Sequence, residues 1–162
     1  MKVEKVMNRD VASCGPRDDL ARAAQIMREQ DCGCVPVLEG DGASLAVGMV
    51  TDRDVCMAAY TTGKSLAELS VGEFMARQLA CCHPEDSIED AERIMSQAQV
   101  RRLPVISADG ALVGILSLAD LARQTLPQPD RQAPPVSDVE IGSTLTSISQ
   151  PHGLGGDQAV PT

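Results

Sequence analysis

The stretch Gly48-Met49-Val50-Thr51-Asp52-Arg53-Asp54 returns further along the chain as Gly114-Ile115-Leu116-Ser117-Leu118-Ala119-Asp120, and this recurrence decides the fold. Each copy reads glycine, two apolar residues, a hydroxyl, and an aspartate three positions on. Working outward, a shift of 68 positions also sets Met7 on Met75, Cys14 on Cys82, Pro16 on Pro84 and Asp18 on Asp86. The same shift sets Ile26-Met27 on Ile94-Met95 and Val35-Pro36-Val37 on Leu103-Pro104-Val105, and a two-residue difference in the next loop brings the two motifs into line. The chain therefore holds two copies of one unit of about 55 residues.

Each copy opens with a short extended segment, Val11 to Cys14 or Leu79 to Cys82, broken by a proline two residues later. A helix is predicted next, because Leu20, Ala23, Ala24 and Met27, and again Ile88, Ala91 and Met95, fall on one helical face. Asp86 with Glu89 predicts a capping box, and Asp18 at the matching site is expected to cap alone. Two strands follow, Cys34 to Leu38 and Leu45 to Val50, around the turn Glu39-Gly40-Asp41-Gly42. Leu103 to Ser107 and Ala111 to Leu116 repeat them around Ala108-Asp109-Gly110. A second helix closes each unit, from about Asp52 to Tyr60 and from about Leu118 to Leu126.

The resulting α+β unit, in the order strand, helix, strand, strand, helix, would bury only about 60% of its unfolded surface and be marginal alone. Two pseudo-symmetric units packed sheet to sheet resolve that. The expected boundaries are 1–62 and 71–126, with 63–70 a linker that holds a turn at Leu66-Ala67-Glu68-Leu69. Beyond residue 126 lie six of the ten prolines, with Gln, Ser, Thr and Gly. Residues 127–162 are expected to form a disordered tail. Val136 to Ile148 is its only stretch with a prospect of order, as a strand borrowed by a partner.

The chain has 162 residues, 43% of them hydrophobic, and Tyr60 and Phe74 are its only aromatics, so stacking on nucleic acid bases is unavailable. A formal charge of −9 repels phosphate backbones and anionic lipid, which argues against nucleic acid and membrane partners. No apolar stretch approaches the roughly 20 residues of a membrane span, and Met1 to Met7 lacks the core of a secretory signal. A cytoplasmic location is the expectation. The six cysteines are then expected to stay reduced, mostly as small buried hydrophobes. Cys32-Gly33-Cys34 and Cys81-Cys82-His83 invite a metal or thiol-enzyme reading. The spacing argues against it, because neighbours on an extended segment point to opposite faces. No metal ligand or catalytic residue is assigned, and His152 falls in the tail.

The hydroxyl and aspartate of the motif have two readings. Together they form a helix capping box. The same corner also places unpaired helix-start N–H groups beside a hydroxyl, a site for phosphate, with the acid one turn on available to a ribose.

The duplicated unit resembles a tandem pair of CBS domains, named after cystathionine β-synthase, over about residues 1–126. The resemblance rests on Asp31-Cys32-Gly33-Cys34-Val35-Pro36-Val37 and Val100-Arg101-Arg102-Leu103-Pro104-Val105, each followed by its copy of the motif. It implies a regulatory module, not an enzyme, that binds AMP, ADP, ATP or S-adenosylmethionine in two clefts, needs no catalytic cofactor, dimerises with itself and signals to an unknown protein. By the same resemblance Asp54 and Asp120 match the ribose acid, and Thr51 and Ser117 the hydroxyl near the phosphate. Cys32, Gly33, Cys34 and Val35, with Val100 and Leu103, match the purine-contacting stretches. Arg101 and Arg102 stand where the first copy has Gly33 and Cys34, so a phosphate-pairing guanidinium is expected from the second copy only, Arg102 before Arg101. The rival readings are a ligand-free interaction scaffold of the same fold and a thiol or metal enzyme.

Overall fold

A computed structural model describes residues 1–40, 45–126 and 136–150. The first copy supplies α1 (Leu20–Glu29), β1 (Cys34–Glu39), β2 (Leu45–Thr51) and α2 (Asp52–Thr62). A short α3 (Val71–Phe74) opens the second copy, followed by α4 (Ile88–Ala98), β3 (Arg102–Ile106), β4 (Leu112–Ser117) and α5 (Leu118–Arg123). A further helix, α6 (Asp138–Ile148), comes last.

The strands pair as two antiparallel hairpins in matching register, Val35 opposite Val50 and Val37 opposite Gly48, then Leu103 opposite Leu116 and Val105 opposite Gly114. The expected first strand of each unit is only a single parallel bridge, Cys14 to Val37 and Cys82 to Val105. Cys14 N–H donates to Pro36 O and Leu38 N–H to Cys14 O. The next bond back along this ladder would come from the amide of Pro36, which has no hydrogen, and Pro104 stops the second ladder in the same way.

Both long helices start where the apolar spacing places them, with the caps one residue later than expected. Asp19 accepts from Arg22 N–H at 2.8 Å and Ser87 from Asp90 N–H at 3.0 Å. Asp18 and Asp86 instead close the turn before the cap, accepting from Gly15 N–H and His83 N–H at 2.7 Å. A local side-chain bond of this kind competes with capping, and two adjacent polar residues let both form. α5 stops short of Leu126 because its last N–H groups turn to three-residue spacing, Gln124 to Leu121 O and Thr125 to Ala122 O.

The two units exchange their leading segments. A 3-10 turn at Val3–Lys5 matches α3, and their first N–H groups donate to Asp86 O and Asp18 O respectively. Asn8 then pairs with Ile115 on β4, and Ala76 with Met49 on β2. Val3 and Met7, although they lead the first unit, are buried with Ile88, Met95, Leu103 and Leu116 of the second. Leu69, Val71 and Met75 are buried with Leu20, Ile26, Val35 and Val50 of the first. Each core is closed by the other copy's leader, so neither unit can leave without opening both.

The stretch expected to stay disordered, or to lend a strand, contains a helix. Ser137 and Glu140 form a capping box at the start of α6, and Val136 and Ile148 are buried in the second core. α6 lies against α4 and α5, in the position that the 3-10 turn Leu66–Glu68 takes against α1 and α2. Residues 127–135 and 151–162 of the expected tail, including His152, lie outside the described residues. Among the described residues no helix is long and apolar enough to cross a membrane.

Candidate functional site: two clefts between the units

Thr51 and Ser117 end β2 and β4 and cap α2 and α5. Asp54 Oδ2 accepts Thr51 N–H at 2.9 Å and the Thr51 hydroxyl at 2.7 Å, while Asp54 N–H donates to Thr51 Oγ1 at 3.2 Å. Asp120 Oδ2 takes Ser117 N–H at 2.8 Å and the Ser117 hydroxyl at 2.5 Å, with Asp120 N–H returned to Ser117 Oγ at 3.1 Å. Both corners are complete capping boxes. The second carboxylate oxygen distinguishes them: Asp120 Oδ1 is ion-paired with Arg123, and Asp54 Oδ1 makes no hydrogen bond among the described residues.

The helix-start N–H groups are largely committed. Asp52 N–H donates to Gly33 O at 3.1 Å and Leu118 N–H to Arg101 O at 2.9 Å. Arg53 N–H is held by Asp52 Oδ1 at 2.7 Å, which leaves only Ala119 N–H without a partner among the described residues of these two corners. The expected open row of N–H donors is therefore absent at α2. Charge to hold a phosphate there has to come from side chains.

Two clefts flank the junction of the units. The first, of about 330 Å³, combines Asp10 and the Gln30 to Cys32 turn with Cys34, Arg102, Ser117 and Asp120. The second, of about 390 Å³, combines Gly33, Cys34, Thr51, Asp52 and Arg53 with Gln99, Val100, Arg101 and Arg102. Most of the expected binding residues are thus brought together, divided between two places. Asp54 lines neither cleft and lies half-buried beneath its cap. Val35 and Leu103 are fully buried in the two cores and also line neither. Strand alternation explains this for Val35, since Cys34 and Pro36 face the first cleft where Val35 and Val37 are buried in the core.

Arg102 lines both clefts, so the expected guanidinium of the second copy is shared. A Cβ on Gly33 would stand 3.1 Å from Asp52 Oδ2 and 3.8 Å from Arg102 Nη1, which places this glycine, Asp52 and Arg102 on one ridge between the clefts. Burial pushes the Cys34 thiol up, opposed by the Arg102 guanidinium beside it. The ion pairs among the described residues, Lys2 with Glu85, Arg93 with Asp90 and Arg123 with Asp120, leave Arg53, Arg101 and Arg102 out.

Sequence reasoning missed Arg53, although it stands inside the motif, because within the motif only the hydroxyl and the aspartate that both copies share were given roles, and its counterpart is Ala119. It also missed Asp31 and Gln99, equivalent residues at φ of 47° and 52° that turn the chain into the two clefts. The left-handed turn leaves no strong mark in a sequence when glycine is not used. The thiols lie largely apart from this chemistry. Burial pushes Cys14 up to about 11 and Cys82 up to about 12, and no group of three or more His, Cys, Asp or Glu is placed to hold a metal among the described residues.

Comparison with known proteins agrees with this architecture. The CBS domain family matches residues 3–60 and 71–126. The CBS domain-containing protein YhcV of Bacillus subtilis is 34% identical over 147 residues, spanning 91% of this chain and 94% of its own. Hypoxic response protein 1 of Mycobacterium tuberculosis is 38% identical over 118 residues, 73% of this chain and 80% of that protein. A crystal structure of Hypoxic Response Protein I, with two coordinated zinc ions, covers 78% of this chain and 100% of its own at 35% identity and a TM-score of 0.67. CBSX2 in complex with AMP covers 75% of this chain and 93% of its own, at 26% identity and a TM-score of 0.66.

Proposed function

This chain belongs to the CBS domain family, and we propose that it is a regulatory CBS pair that binds an adenosine-containing ligand between its units and signals occupancy to a partner protein. One observation carries this reading: each cleft is assembled from both units and sets a cap hydroxyl near a guanidinium free of ion pairs. The AMP bound by CBSX2, a structural neighbour at 26% identity, supports the ligand class. In this reading Asp120, and Asp54 after a small opening of its cap, hold a ribose, while Ser117 and Thr51 stand near the phosphate with Arg102 and Arg101. Cys32, Gly33, Cys34 and Val100 offer the purine an aliphatic and backbone surface. A ligand seated this way touches both units, so it favours one arrangement of the pair over others, which is the requirement for regulation. A cytoplasmic homodimer acting on a separate protein completes the proposal.

A ligand-free scaffold is the second reading, favoured by the fact that both aspartates are already satisfied as caps and one is ion-paired. A thermal-shift panel of AMP, ADP, ATP, S-adenosylmethionine and reduced nicotinamide dinucleotide separates the two. At a hundredfold excess over Kd, binding adds about 2.7 kcal/mol, which here corresponds to roughly 5–10 °C. A response to at least one ligand is expected. Silence across the panel would leave the scaffold.

A further inference from the structure

The two clefts differ in charge, and the difference is built into the repeat. Arg53, Arg101 and Arg102 rim the second cleft, with Asp52 the only acid among its lining residues. Asp10, Asp31 and Asp120 rim the first, against Arg102 and an Arg123 already paired with Asp120. Between equivalent positions, Arg53 faces Ala119, Arg101 faces Gly33, Arg102 faces Cys34 and Gln99 faces Asp31. Two of these differences, Arg53 for Ala119 and Gln99 for Asp31, divide between the clefts and move positive charge toward the second; Arg101 lines only the second cleft, whereas Arg102 and Cys34 line both. Asp52 opposes the trend, and its Oδ1 is turned onto Arg53 N–H.

Three guanidiniums without ion pairs among the described residues converge on one cleft, and an anion gains most where such groups converge. The planar fork of arginine matches phosphate oxygens bidentately, and three forks exceed what one phosphate occupies. We infer that the second cleft is a polyphosphate site, selective for a nucleoside di- or triphosphate, and that the acid-rimmed first cleft does not take such a ligand. The nucleoside part of this inference rests on the adenosine reading above; the polyphosphate part rests on the arginines alone.

The test is calorimetry on the full chain without magnesium, using adenosine, AMP, ADP, ATP and inorganic tripolyphosphate as probes. The proteins compared are the wild type, an Arg53→Gln, Arg101→Gln double variant and an Asp10→Asn, Asp31→Asn control at the first cleft. ATP and ADP are expected to bind one site at least tenfold tighter than AMP, with tripolyphosphate displacing them. The arginine variant should weaken ATP by about a hundredfold, from hydrogen bonds to charged groups, and the first-cleft control should not. Both arginines are exposed and make no ion pair among the described residues, so the variant is expected to keep the wild-type melting temperature. ATP no tighter than AMP, or unchanged in the arginine variant, would overturn the inference. If adenosine and AMP fail to bind while tripolyphosphate binds and is lost in the variant, the polyphosphate site stands and the adenosine reading falls; if tripolyphosphate also fails, both fall.

Discussion

Met7 lies across Gly114 so closely that a Cβ on the glycine would stand 2.8 Å from the methionine sulfur and 2.9 Å from Asn8 O. Met75 and Ala76 O stand over Gly48 in the same way, at 2.6 and 3.0 Å. The thioether can swing aside. The carbonyl cannot, because Asn8 and Ile115 exchange backbone hydrogen bonds at 2.9 Å in both directions. Glycine at the head of the motif is therefore what lets each leader cross onto the other unit's last strand. We predict that Gly114→Ala and Gly48→Ala each cost about 1–3 kcal/mol through overpacking, read as a fall in urea midpoint. A variant as stable as the wild type would show that the crossing is loose.

The hydroxyl–aspartate corner combines two roles that substitution can separate. Asp120→Ala removes the carboxylate and the box together, and Ser117→Ala removes the box while keeping the carboxylate. Each is expected to lower stability by about 1 kcal/mol, the usual worth of a cap. If Asp120 holds a ribose, Asp120→Ala weakens AMP about ten- to hundredfold more than Ser117→Ala does. Equal affinities for the two variants would reduce the aspartate to a cap.

What the sequence disclosed was whatever the two copies share and whatever is local. The hairpins and α1, α2 and α4 were legible from periodicity and turn residues, and the motif from its recurrence. The reason for its glycines was not, because Met7 and Met75 reach them from the other copy and no local pattern encodes that crossing. Asp54, Val35 and Leu103 were carried to the site by family position, and strand alternation and the capping box turned them away from it. Arg53 was overlooked because only the motif residues that both copies share were given roles. α6 was lost in the composition of its surroundings, although Ser137 and Glu140 spell a capping box and Ile141 and Ile148 share a face.

α6 completes the second core, so its loss should be felt there. Ile148 is 6% exposed among second-unit residues, and Ile148→Ala is expected to cost about 2–4 kcal/mol. Gly142, inside the same helix, has nothing within 4 Å of an added Cβ, so Gly142→Ala should stabilise by about 0.5–1 kcal/mol. Opposite signs in the two melts mark a docked helix. No effect from either would mean that α6 does not fold against the unit in solution.

Glu92, on α4 beneath α6, is 8% exposed and its Oε1 has no hydrogen-bond partner among the described residues. Burial, with Glu140 of α6 and Glu89 of its own helix, raises its carboxyl above the ordinary 4.5, and only the Thr144 hydroxyl on α6 counters this. A carboxyl raised by folding binds its proton more tightly in the folded chain, so its ionisation costs stability at pH values above the folded pKa. The cost shrinks as pH falls and is gone below the unfolded value near 4.5. We predict that Glu92→Gln is more stable than the wild type at pH 7.5, by about 1 kcal/mol, the scale of one unsatisfied buried polar atom. The advantage should fade toward pH 4.5. Measuring the difference between the two proteins across pH removes the opposing contribution of Asp90, whose carboxyl is held low by its hydrogen bonds with Arg93 and Ser87. A difference that is constant with pH would mean that Glu92 is not the group being titrated under α6.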